Sequence, residues 1–479
     1  MSDLIVMKFG GTSMGTAGRI RIAAEITAAE RAKRPVAVVV SAMSKVTDML
    51  LDTLRHAEGG DRATMERNIA ALRERHEAAA NELLRAPDGV LTGIAGLIAE
   101  FERISQGILL LGDRPPRSVD EAMAIGERLT ALILAAYLTE TGTPAEAVNA
   151  ASVLVTDSVF GNATPIMDLT RAKGVAVVAP LLAAGSVVVM TGFNGATAGG
   201  KPTTLGRGGS DFSASILASA MDASELWIWT DVDGIMTADP RLVKDARVLD
   251  EVTYAEAAEL AYNGAKVLHP RTLAPLVEKK IPVWSKNSFN LAAPGTHIVA
   301  ALRADEPRGA RAVTSMANVA LVSVEPASAS ISGTRVMARA LDALDIVNAE
   351  VLTLSSSSYR QSFCFLVRKD ELPAVLKGLE EALALELEHG YVKPFEIDEN
   401  VGLLAVVGEG MRGVAGLAGR VFTAVSREGI SIIAIAQGSS ELTISFVVSR
   451  DGLERAVKAI HAECGLGRRG SETPSVRRP

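Results

Sequence analysis

The chain has 479 residues, 48% of them apolar, and a formal net charge of −7. That is more apolar material than one core supports, so two or three domains are expected, and the acidic balance excludes a nucleic-acid surface and favours small partners. Cys364 and Cys464 lie too far apart in sequence for a zinc spacing or a disulfide framework and indicate a reducing compartment.

The opening residues carry no basic-then-apolar signal pattern, so a cytoplasmic location is expected. The longest apolar run, residues 174–190, is split by Pro180 and Gly185 and reads as two buried elements, with no membrane span. Leu4 to Phe9 is a short apolar strand entering Gly10-Gly11-Thr12-Ser13. A lysine at a strand end beside two glycines, as Lys8 is, can share a phosphate with their amides, and a plain turn with a surface lysine fits the same residues. Residues 17–31 have helical spacing, and residues 35–40 form a β-branched strand that delivers Ser41 to Thr47 to its carboxyl end, where open α/β sheets bind ligands. Residues 52–113 read as a helical insertion or hairpin on the surface. A new helix is expected after Pro115-Pro116, with a cap at Ser118; its Glu127, between Ile125 and Leu129, points inward either as a paired structural acid or as a functional one.

The apolar runs at 174–179 and 186–190 lead to Asn194-Gly195 and Gly199-Gly200, which read as hairpin turns, and then to Thr204-Leu205-Gly206-Arg207-Gly208-Gly209-Ser210-Asp211. Three glycines around one arginine leave backbone N–H groups open to an anion, and the guanidinium offers a fork for a carboxylate or phosphate. Asp211 can accept from a cation or open the following helix; a tight turn with a solvated arginine is the plainer alternative. The resemblance of residues 195–201 to a phosphate-binding loop fails at Pro202, where a hydroxyl is required. Glu225 to Trp229 is a strand ending in an acidic, hydroxyl-rich loop, residues 230–241, which suits a metal-nucleotide site or ordinary turns. Lys266 could face a nucleotide, and His269 before Pro270 reads as structural.

The last third contains a faint repeat: Asn318-Val319-Ala320-Leu321 returns as Asn400-Val401-Gly402-Leu403, each followed by a helix and a strand pair, so two small αβ units are expected. Gly408 to Gly413 matches the dinucleotide fingerprint but lacks room for the βα units that motif needs. The tail from 466 to 479 reads as disordered.

Six of these stretches, in order, resemble aspartate kinase: Lys8-Phe9-Gly10-Gly11-Thr12-Ser13, Val40 to Ser44, Thr204 to Asp211, Trp229-Thr230-Asp231-Val232, Asp239-Pro240-Arg241 and Gly264 to Pro270. The resemblance runs through nearly the whole chain and, since no homoserine dehydrogenase segment follows within the 479 residues, is to the monofunctional form. It implies an αβα sandwich with a mostly parallel sheet (the amino-acid-kinase fold) over residues 1–305, and two ACT-like α+β, ferredoxin-like regions over 310–392 and 393–465. It also implies ATP, Mg²⁺ carried by the ATP with no side-chain metal ligands, and L-aspartate as acceptor.

Carried over residue by residue, Lys8, Gly10 and Gly11 would hold the transferring phosphoryl group and Asp211 would orient Lys8. Arg207, with Gly208, Gly209 and Ser210, would clamp the α-carboxylate of aspartate, Glu127 would face its ammonium, and Ser41 and Thr47 would complete that pocket. Phe9, Thr12, Ser13, Thr230, Asp231, Met236, Arg241 and Lys266 would line the nucleotide, Met236 standing where relatives commonly carry tyrosine. Gln437, Ser439, Ser440 and Glu441 resemble the effector loop of threonine-sensing relatives, with lysine the other candidate, whereas the first repeat reads Leu354 to Tyr359 at that place. A homodimer or homotetramer through the ACT-like regions is expected, with no nucleic-acid or membrane partner. The competing readings are a kinase of this fold acting on glutamate or N-acetylglutamate, and a non-catalytic amino-acid sensor. The kinase reading requires Lys8 and Arg207 to open onto one cavity.

Overall fold

The computed structural model describes residues 3–265, 268, 270–303, 309–327, 331–358, 361–411, 414–438 and 442–467, and they fall into two compact units. The first takes in residues 1–235, 250–254 and 268–302. Its chain begins with β1 (Ile5–Phe9), α1 (Ala17–Arg31) and β2 (Val36–Val40), both strands wholly buried, as continuous apolar strands covered on two faces must be. Three long helices follow: α2 (Val46–Glu58), α3 (Arg62–Leu83), opened by the Asp61 carboxylate accepting from Thr64 N–H, and α4 (Asp88–Leu111), closed by Gly112 in the left-handed region.

The expected surface insertion at 52–113 is instead a core layer. Leu54, Met65, Leu72, Ile94 and Phe101 are fully buried in the same apolar cluster as Ile5, Val38 and Val189. The helices α5 (Pro116–Met123) and α6 (Ile125–Glu140) complete that layer. Helix α5 starts on Pro116, whose fixed φ and missing N–H suit a first turn, so Ser118 lies inside the helix and caps nothing. The stretch Pro116–Glu140 is long and apolar enough to span a membrane, but 72% of its apolar window is buried, as in the core helix of a soluble fold.

The chain continues through β3 (Ala145–Val148), β4 (Val155–Thr156), α7 (Met167–Ala183), β5 (Val187–Thr191), β6 (Asn194–Thr197), β7 (Pro202–Thr204), α8 (Gly209–Ala220), β8 (Glu225–Thr230) and β9 (Glu251–Thr253). Then come α9 (Tyr254–Tyr262), α10 (Pro270–Val277), β10 (Val283–Asn287) and β11 (Thr296–Val299). The run at 174–179 is therefore helical, and Val175 is exposed; Asn194-Gly195 lies in a strand, while Gly199-Gly200 makes the hairpin turn. Among the described residues the main sheet has eight strands in the order β3-β5-β2-β1-β8-β10-β11-β9, parallel throughout except for β10 against β11. Its central strands β2, β1 and β8 put their carboxyl ends side by side, the position at which such sheets bind ligands.

The second unit comprises residues 236–249, 255–267 and 303–479. The expected repeat is present as β12 (Ala312–Val324), α11 (Gly333–Ile346), β13 (Thr353–Ser356), β14 (Phe363–Arg368), α12 (Leu372–Ala382) and the short α13 (Ala384–Glu388), and again as β15 (Glu396–Val407), α14 (Leu417–Arg427), β16 (Ile432–Ala436), β17 (Thr443–Ser449) and α15 (Leu453–Glu463). The long strands β12 and β15 pair antiparallel and fuse the copies into one sheet of order β13-β14-β12-β15-β17-β16. The segment 236–249 is built into the second copy: Ala238, Val243 and Ala246 share a core with Leu404, Val421 and Ile460, and the Thr237 hydroxyl lies 3.0 Å from Nε2 of buried His461. Helix α9 is held there by Glu259, which accepts from the Thr443 hydroxyl at 2.8 Å, and by Glu256 beside Arg311, both buried.

Candidate active site

Along β1, Met7 and Phe9 face the helical core, and Lys8, out of phase with them, points to the other face of the sheet. There its Nζ meets Oδ1 of Asp211, in the first turn of α8, at 2.6 Å. The pair lines a cavity of about 540 Å³ together with Gly11, Ser41, Thr47, Glu127 and the run from Gly206 to Ser210. Lys8 and Arg207 thus open onto one space, as the sequence reading required.

Close approach explains the small residues. A Cβ on Gly10 would lie 3.3 Å from the Lys8 ammonium, one on Gly11 3.1 Å from the Ala42 carbonyl oxygen, and one on Gly126 2.8 Å from the Ala42 side chain. The glycine loop is set from behind. The Asp120 carboxylate accepts from the backbone N–H and hydroxyl of Thr204, both at 2.8 Å, and from Gly161 N–H at 2.9 Å, while Arg271 donates to Asn162 and to the Ala163 carbonyl. Burial still raises the Asp120 carboxyl above the ordinary carboxylate range, against the pull of those donors. Gly206 and Gly208, at φ of 75° and 69°, take left-handed conformations that turn the chain from β7 into α8.

Glu127, on the first turn of α6, is 2% exposed, and its Oε2 has no hydrogen-bond partner. Burial pushes its carboxyl up to about 8, opposed by the N–H groups of Ala42 and Glu127 itself and by the Lys8 charge. An unpaired, desolvated acid facing a cavity is a ready partner for a cation.

Other expected contacts lie elsewhere. Phe9 is fully buried and stacked on Trp229, and the buried Ser13 hydroxyl is engaged with Ser288 at 2.8 Å, so neither offers a nucleotide its side chain. Gly10 donates its N–H to the Trp229 carbonyl, and Thr12 is exposed. Thr230, whose hydroxyl accepts from Val232 N–H, and exposed Asp231 stand at the end of β8, outside the lining of this cavity. Met236 and Arg241 belong to the second unit, where Arg241 pairs with Asp239. Gln437 is exposed after β16; Lys266, His269, Ser439, Ser440 and Glu441 lie outside the described residues. Sequence reasoning missed Lys45, Asp48 and Phe193 as cavity residues. Two of them, Lys45 and Phe193, have left-handed backbones without being glycine, which spacing and residue type do not announce. Among the described residues no group of three or more His, Cys, Asp or Glu side chains is placed to hold a metal ion.

Residues 3–287 match the amino acid kinase family. The chain belongs to that family. Residues 404–464 match the ACT domain, on the second copy of the repeat. The structure is similar to that of E. coli aspartokinase III in complex with aspartate and ADP (R-state), with a TM-score of 0.82 and 29% identity over 96% of this chain and 99% of that one. It is likewise similar to the same enzyme in complex with lysine and aspartate (T-state), with a TM-score of 0.78 and 30% identity over 96% and 99%. The bifunctional aspartokinase/homoserine dehydrogenase 1 of Arabidopsis thaliana is 35% identical over 472 residues, 97% of this chain and 51% of that protein. The chain spans about half the length of the curated relatives it matches first, and within its family it stands with the aspartokinases.

Proposed function

We propose that the chain transfers the γ-phosphoryl group of ATP to the β-carboxylate of L-aspartate, giving 4-phospho-L-aspartate and ADP. The observation that carries this reading is the single cavity in which the Lys8–Asp211 pair, the Arg207 guanidinium and the unpaired Glu127 carboxylate meet. Arg207 forks onto the α-carboxylate, Glu127 receives the ammonium, and the β-carboxylate is left facing Lys8. A β-carboxylate oxygen then forms a bond to Pγ as the bond from Pγ to the bridging oxygen breaks, and that electron pair leaves with ADP. The acceptor, with a reference pKa of about 3.9, is already ionised near neutral pH, so no general base is needed. Positioning and charge neutralisation supply the rate, through Lys8 and the cavity-lining amide of Gly11. Mg²⁺ bound to the ATP phosphates would neutralise part of their charge.

Regulation belongs to the same proposal. The ACT match and the lysine held by the E. coli enzyme support feedback by an amino-acid end product of the aspartate family, lysine, threonine or methionine; the residues around Gln437 favour threonine over lysine. A homo-oligomer and a cytoplasmic setting complete it, the latter supported by free thiols at Cys364 and Cys464. A hydroxamate assay for the acyl phosphate, run with aspartate, with glutamate and with neither, tests the reading. Signal with aspartate alone is expected; equal signal with glutamate would transfer the site to another acceptor, and none at all would leave an amino-acid sensor.

A further inference from the structure

We infer that Lys45 is a second substrate-contacting cation of this cavity, meeting the acceptor carboxylate as it closes on the transferring phosphoryl group. The inference rests on the aspartate-phosphorylation reading above. Lys45 lines the cavity together with Lys8, Glu127, Arg207 and Asp211. It immediately precedes α2 with φ 64° and ψ 1°, a left-handed conformation in which any residue with a Cβ is strained and glycine is at ease. The turn does not depend on its side chain, because the Val46 N–H donates to the Met43 carbonyl at 2.9 Å and closes the turn through backbone alone. Strained, replaceable positions persist where they carry function.

Charge decides what that function is. Lys8 is already neutralised by Asp211 at 2.6 Å, and Arg207 can fork onto only one of the two carboxylates of aspartate. Asp48, the other acid of the rim, sits in the first turn of α2, where the helix end favours a negative charge, and is not ion-paired with Lys45. With Glu127 ionised to hold the ammonium, the lining sets three cations against three carboxylates; without Lys45 it would carry one net negative charge. The β-carboxylate must approach a phosphate that is itself anionic, and Lys45 is the lining cation left to screen that approach.

The test uses the full chain with Lys45→Met, Lys45→Arg and Lys45→Gly, measuring initial acyl-phosphate rates against aspartate and against ATP. Lys45→Met is expected to lower kcat/KM for aspartate roughly tenfold or more, as loss of a positioned charge does, with a smaller change in the KM for ATP. Lys45→Arg should recover most of the rate. Lys45→Gly should lose as much as the methionine variant while melting no lower than the parent, which separates the charge from the fold. Rates within about twofold of the parent for the methionine and glycine variants would overturn the inference while leaving aspartate phosphorylation in place. A parent chain inactive on aspartate would bring down both.

Discussion

At the scale of single residues the site is a problem of placing charge, and Lys8 and Arg207 do different parts of it. If Lys8 holds the phosphoryl group as proposed, Lys8→Ala is expected to lower turnover by about 10²–10³-fold in the hydroxamate assay, with near-normal turnover ruling the assignment out. Arg207→Lys keeps the charge and loses the fork, so the KM for aspartate should rise while kcat changes less. Glu127 supplies the pH dependence. Its carboxyl is held near 8 in the folded, ligand-free chain against an ordinary 4.5, so the native state binds the proton more tightly than the unfolded one. The sign follows: this group's contribution to stability is full below about 4.5 and is lost as pH rises through about 8. An arriving ammonium reverses the preference, so aspartate binding near pH 7 should expel a proton and tighten toward pH 8. Calorimetry in buffers of different ionisation enthalpy reads that proton directly, and Glu127→Gln should abolish both the release and the pH slope. All three residues were legible in the sequence because glycine neighbours or an apolar frame marked them. Lys45 was not, because the signal lies in its φ angle.

At the scale of elements, the glycine loop owes its shape to groups that never reach the cavity. Asp120 is the clearest case: Asp120→Ala would leave the buried N–H of Thr204 and the N–H of Gly161 without their acceptor, a loss on the order of 3 kcal/mol in a denaturation experiment. The same variant should raise the KM for aspartate by loosening β7 ahead of Arg207. Nothing in the local sequence paired Asp120 with Thr204, since the contact joins residues 84 positions apart. Helices α2 to α4 show the converse limit. Their existence could be read from helical spacing, but their depth could not, because an amphipathic helix looks alike whether its apolar face meets a large core or a shallow one. Ser118 and Asn194-Gly195 failed for a simpler reason: Pro116 supplied a better helix start, and β6 paired with β4 and β7 to hold the Asn-Gly step extended.

At the scale of the molecule, the parallel sheet and the repeat were both recoverable, the first from buried β-branched runs ending in polar residues, the second from the matched strands near Asn318 and Asn400. What the sequence did not disclose is that segments 236–249 and 255–267 belong with the carboxy-terminal unit, because their contacts are with residues far along the chain. Arg311 and Glu256, 5% and 1% exposed, are one such pair. Arg311→Met would strand part of a buried carboxylate's charge and should cost about 3 kcal/mol, measurable by urea titration; a change under about 1 kcal/mol would show that Glu256 is satisfied by its other partners.

That interleaving also limits how the protein can be dissected. A fragment cut at residue 303 would be deprived of Val243 and Ala246, whose partners Val421 and Ile460 would then face water, and of Glu259, the acceptor for Thr443. Such a truncation should express as a sticky, aggregating polypeptide. An autonomous version of the second unit would have to carry the earlier segments as well, spliced in through linkers.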